Sequence, residues 1–199
     1  MAQPIHAAIS LNNPLSFDQY MSQWKDTNAL PLTGLDKIER RYRFYSKYNL
    51  ERQERVEQEW QPSPEFVKAV DSMAGPLSFF FITDDWCIDS AYSLPLLHWI
   101  SSRRSDIRLQ IGLKNDNLQV LDQYLTDGAR SIPKLIIENQ AGETVAVWGP
   151  QPEEIRLIRK SLMDNNAEGS VVSGTTIEWY ANSGVLEVEK ELGQLFSSL

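Results

Sequence analysis

Leu77-Ser78-Phe79-Phe80-Phe81-Ile82-Thr83-Asp84-Asp85-Trp86-Cys87-Ile88-Asp89-Ser90 joins two unlike patterns across a short acidic turn. The run Leu77 to Thr83 is apolar and aromatic, with the length and composition of a buried strand. From Ile88 to Ser102 the apolar residues Ala91, Leu94, Leu97, Trp99 and Ile100 read as a helix. Cys87 therefore falls at the mouth of a helix that directly follows a buried strand.

Downstream, Ile107-Arg108-Leu109-Gln110-Ile111 alternates as a strand and Leu118 to Leu125 reads as a helix. Lys134-Leu135-Ile136-Ile137 and Thr144-Val145-Ala146-Val147-Trp148 read as strands about a turn at Gly142. Glu153 to Met163 is helical, and Thr175 to Phe196 is mostly so, with an interruption near Gly184. The order from residue 77 is β-α-β-α-β-β-α, which combines a parallel portion with an antiparallel hairpin. Periodicity leaves several α/β layouts open.

Upstream, residues 1–15 carry Pro4, Pro14 and Asn12-Asn13 and read as an irregular lead-in. Ser16 is placed to cap a helix over Phe17 to Ala29, with Phe17, Tyr20, Met21 and Trp24 on one face. Pro31 and Gly34 end it. A long polar helix fits Leu35 to Trp60; its mixed charge, Arg40, Arg41 and Arg43 included, reads as a solvated face rather than a basic binding patch. Ser63 then caps a helix through Phe66, Val67 and Val70, closed by Gly75-Pro76.

The 199 residues are 42% hydrophobic and 23% charged, which suits a folded protein with one ordinary core. With 27 acidic and 19 basic side chains the net charge is −8, so nucleic acid and anionic membrane surfaces are not expected partners. A single cysteine excludes an intramolecular disulfide and favours a reducing compartment. The N-terminus lacks the pattern of a signal peptide, and no apolar run approaches the roughly 18 residues of a membrane span. The expected location is the cytoplasm.

Trp86-Cys87-Ile88-Asp89-Ser90 resembles the thioredoxin active-site stretch, in which Trp precedes Cys-x-x-Cys, with Ser90 at the final position. Three more landmarks match. Pro95, eight residues after Cys87, stands where thioredoxins carry a helix-kinking proline. Ser131-Ile132-Pro133, some 46 residues downstream, matches the cis-proline segment, and Gly142 and Gly149 bracket the last hairpin strand. The resemblance implies a thioredoxin-like α/β fold, a mixed sheet with helices on both faces. Residues 1–64 would form a helical extension packed on a core at 65–165, with a C-terminal helical segment at 166–199, all in a single compact unit. Asp122 to Lys134, Trp148-Gly149-Pro150 and Glu178-Trp179-Tyr180-Ala181 further resemble a group of bacterial thioredoxin-like proteins with such an extension.

Only a thiolate attacks a disulfide, so a working cysteine needs a pKa near neutrality. A helix N-terminus lowers the thiol pKa, whereas Asp84, Asp85 and Asp89 raise it. Phe81 stands where thioredoxins carry a buried proton-accepting Asp. Ser90 cannot resolve a mixed disulfide, so a one-chain dithiol cycle is excluded. What remains is monothiol exchange or redox sensing at Cys87, with Ser90 and Pro133 as the other catalytic-site residues and Trp86 and Ile132 contacting substrate. Its partners would be protein or small-thiol disulfides, with glutathione or another small thiol as co-substrate and no bound cofactor. The rival is a non-catalytic interaction module on the same fold. Ser90 also resembles the last position of monothiol glutaredoxins, which hold an iron–sulfur cluster, but the Cys-Gly-Phe-Ser residues are missing. No metal is expected: the three aspartates match no cation loop and read as helix-start carboxylates. His98 reads as structural, and His6 lies in the lead-in.

Overall fold

The computed structural model describes residues 8–199. Pro4 and His6 of the lead-in lie outside the described residues. Among the described residues before the first helix, Leu15 bridges to the sheet opposite Ile111.

Helices α1 (Phe17–Ala29) and α2 (Lys37–Glu59) each start on a capping box, Ser16 with Gln19 and Asp36 with Glu39. Ser63 caps α3 (Pro64–Ser72). Then come β1 (Leu77–Thr83), α4 (Ile88–Arg103), β2 (Ile107–Leu113), a 3-10 turn (Lys114–Asn117) and α5 (Leu118–Leu121). Strands β3 (Lys134–Asn139) and β4 (Thr144–Trp148) precede α6 (Glu153–Asp164), α7 (Gly169–Trp179), a π-helical turn (Tyr180–Gly184) and α8 (Val185–Phe196).

The sheet order is β2-β1-β3-β4, with β1 parallel to β2 and antiparallel to β3, and β3 antiparallel to β4. This is a thioredoxin-like α/β fold with helical additions at both ends of the chain. Central β1 pairs Phe81 with both Ile111 and Leu135. Its side chains alternate between two apolar layers. Phe79 and Phe81 pack with α1, α3, α4 and α8 residues, whereas Phe80 and Ile82 pack with Leu11, Val120, Leu121, Ile132 and Cys87. Both faces are covered, which is why the strand is a continuous apolar run. Each such aromatic, fully buried, contributes about 1.5–3 kcal/mol.

Two expectations are corrected. The helix expected from Leu118 to Leu125 stops at Leu121. A Thr126–Ala129 bridge, with positive φ at Asp127 and Gly128, turns the chain back, and Arg130 pairs with Asp122. The last helical region starts at Gly169 rather than Thr175, and its break is the π-helical turn. At Gly184 an added Cβ would sit 2.2 Å from the Tyr180 ring, so glycine there leaves room for that ring.

Candidate functional site

The end of β1 delivers Cys87 to the N-cap of α4, where its side chain makes no capping bond. Its N–H donates to the Asp84 carbonyl at 3.1 Å. Across the site, Ile132 precedes Pro133 through a cis peptide bond, and its carbonyl oxygen lies 3.7 Å from Cys87 Sγ. Asp89 Oδ2 lies 3.8 Å from the same sulfur. Residues 86, 87, 90, 132 and 133 thus meet at one end of the sheet, at the junction of β1, α4 and the segment before β3.

Cys87 is only 5% exposed. Burial pushes its pKa up to about 12, and the Asp89 carboxylate adds to the rise. Hydrogen bonds from Ser90 and the first-turn backbone pull the other way and lose. A neutral thiol here has one hydrogen to direct at either the Asp89 carboxylate or the Ile132 carbonyl. Ser90 is buried, with its hydroxyl bonded to that of Thr83.

Asp89 is itself buried, which raises its pKa, while hydrogen bonding and charge oppose the rise. Tyr180 Oη donates to Oδ1 at 2.7 Å and Arg159 stands 3.9 Å from Oδ2. Asp84 is raised to about 6, first by burial and then by neighbouring Asp85. Asp85 is raised by burial, while a hydrogen bond with Ser46 and the charge of Arg43 oppose the rise. Among the described residues no three His, Cys, Asp or Glu side chains gather closely enough to hold a metal ion. His98 stacks on Phe17, ring centres 3.6 Å apart, and burial lowers its pKa. Packing accounts for it.

Trp86 is covered from outside. The Tyr42 ring of α2 lies 5.0 Å from it, and the Lys114 ammonium lies 5.9 Å from its ring centre. Between α2 on one side and α6 and α7 on the other, a cleft of about 880 Å³ opens above Trp86, Cys87 and Ile132. From α2 it takes Tyr42, Tyr45, Asn49 and Arg52, which recur at helical spacing on one face. Sequence reasoning missed this wall, and also Lys114, Arg159 and Tyr180. The spacing within α2 was a usable signal for the first group; none marked the others.

A thioredoxin family profile, Thioredoxin_9, matches residues 36–163, well over half of the chain. The chain belongs to this thioredoxin family. The match begins at the N-cap of α2, so the helix over Trp86 falls inside the family's span. Among solved structures, the thioredoxin-family chain is similar to a protein of unknown function from Pseudomonas aeruginosa. Identity is 12%, with a TM-score of 0.54, over 92% of this chain and 98% of that one. It is also similar to an HIV epitope-scaffold, at 13% identity and a TM-score of 0.56, over 93% of this chain and 99% of that one. At such identities the likeness speaks for the fold alone. No curated protein matches the chain. Among the described residues no helix is long and apolar enough to cross a membrane.

Proposed function

We propose that this thioredoxin-family chain is a binding module that receives its ligand in the cleft over Cys87 and holds that cysteine as a neutral thiol. The observation that carries the reading is the setting of Cys87, a residue 5% exposed whose sulfur lies beside the Asp89 carboxylate and the Ile132 carbonyl. Burial pushes the thiol pKa up to about 12, so at pH 7 the neutral form dominates. No second cysteine is present to release a mixed disulfide. A lone, shielded thiol suits a reducing compartment such as the cytoplasm.

The position of the sulfur beside the Ile132 carbonyl favours a second reading, monothiol exchange or redox sensing. There the Cys87 thiolate attacks one sulfur of a protein or small-thiol disulfide. A Cys87–S–S–R bond forms, the R–S⁻ group leaves, and a second external thiol such as glutathione restores Cys87 with release of R–S–S–R′. Trp86 and Ile132 would contact the incoming disulfide, and Ser90 and Pro133 would shape the site. Incubation with glutathione disulfide at pH 7.5, read by intact mass, separates the readings. The binding module gives no adduct while folded and acquires one glutathione when unfolded in urea. Rapid adduct formation on the folded chain would establish exchange instead.

A further inference from the structure

The chain carries a net charge of −8, yet its cations gather at the cleft. Arg41 and Arg52 on α2, Lys114 after β2, and Arg156, Arg159 and Lys160 on α6 all line it. Three acidic residues line it too, and each is engaged. Asp164 takes Lys160 at 2.6 Å, Asp127 lies 3.8 Å from Arg156, and Asp89 is buried against Tyr180. Arg156 is further neutralised by Glu153 at 2.6 Å.

Of the other cations, Arg159 reaches Asp89 only at 3.9 Å and Lys114 feels the charge of Asp84 from outside ion-pair distance. None of the ion pairs among the described residues includes Arg41, Arg52 or Lys114. Arg52 donates only to the neutral Asn49 side chain, at 2.8 Å. Arg159 bonds Gln151 and stands 3.9 Å from Asp89, while its Nε is buried without a partner. Unpaired cations at the rim of a low-dielectric concavity concentrate anions there. The surface they surround is apolar and aromatic, with Tyr42, Trp86, Ile132, Met163 and Ile177 among its residues.

We infer that this cleft binds a small organic anion, an aromatic or apolar body bearing carboxylate, phosphate or sulfonate groups. The body covers Trp86 and the apolar floor, and the anionic groups meet Arg41, Arg52 and Lys114. A cleft of about 880 Å³ lies within the roughly 300–1,000 Å³ typical of organic-ligand sites. Helical walls on both sides favour a bounded small molecule over an extended acidic peptide. The inference rests on the cleft being the binding site and needs no reaction at Cys87.

Two matched probes test it: 1-anilinonaphthalene-8-sulfonate and its uncharged analogue N-phenyl-1-naphthylamine, titrated by fluorescence. The sulfonate should bind about tenfold tighter than the analogue and lose affinity as salt rises. Arg41→Glu/Arg52→Glu, and independently Lys114→Glu, should each weaken the sulfonate by about tenfold and leave the analogue unchanged, with melting curves confirming the fold. Adduct formation between the folded chain and glutathione disulfide would overturn the neutral-thiol reading while leaving the probe comparison intact, so the two failures are distinguishable. Equal binding of the two probes would overturn the inference. So would charge reversals without effect, or displacement of the sulfonate by oligoglutamate but not by a small aromatic dicarboxylate.

Discussion

Gly149→Ala is expected to lower the stability of the protein by about 2–4 kcal/mol and to loosen the segment opposite Cys87. Gly149 follows β4 at φ +107°, a left-handed conformation that a side chain strains. An added Cβ would lie 2.3 Å from the Pro133 carbonyl oxygen and 3.2 Å from its carbonyl carbon. Both are backbone atoms at the start of β3, so no flexible side chain can yield. Relief requires the 131–134 segment to move, and Ile132 moves with it. Gly128→Ala is the control, since its φ is +77° with nothing near the new Cβ. It should cost only about 1 kcal/mol. Urea denaturation of the two variants checks this; equal losses would refute the steric account.

Tyr180→Ala should be comparably damaging, at about 3–5 kcal/mol, because it opens a cavity where a large side chain is 2% exposed. The ring stacks on Tyr92 at 4.6 Å and meets Trp179 edge-on at 4.9 Å. Its hydroxyl is also the neutral donor to Asp89. Tyr180→Phe keeps the ring and removes only that donor, so about 1–3 kcal/mol should go with it. The two substitutions, compared by denaturation, separate packing from the hydrogen bond. If the phenylalanine variant is as stable as the parent, the Asp89 carboxylate does not depend on Tyr180.

The strands and most helices were legible because local chemistry and burial agree. Ser16 and Ser63 cap helices whose apolar faces point inward, and the Phe79-Phe80-Phe81 run fits a strand covered on both sides. The start of α7 was hidden because Gly169-Ser170-Val171-Val172-Ser173-Gly174 has weak helix propensity and, being mostly exposed, carries no buried apolar stripe to mark a helix. The resemblance to thioredoxin implied that Ile132-Pro133 belongs beside Cys87, and the Ile132 carbonyl lies 3.7 Å from its sulfur. Which of the helix end and the carboxylates governs the thiol was not implied, because burial is the largest influence, and burial depends on the whole surroundings. The charge of the cleft wall was harder to read, although Arg52 shares the helical spacing of Tyr42, Tyr45 and Asn49. Arg41 and Arg52 read as members of a solvated mixed-charge face, and only the packing of α2 across Trp86 turns that face toward a cleft.

The pH dependence of Cys87 alkylation by iodoacetamide, folded against urea-unfolded, bears most directly on the neutral thiol. The folded protein should react slowly, its rate climbing with pH through 9.5 without levelling, as a pKa of about 12 requires. The unfolded chain should level off near the free-cysteine pKa of about 8.5. A folded-state rate that levels off near pH 7 would contradict the account and make Cys87 a nucleophile.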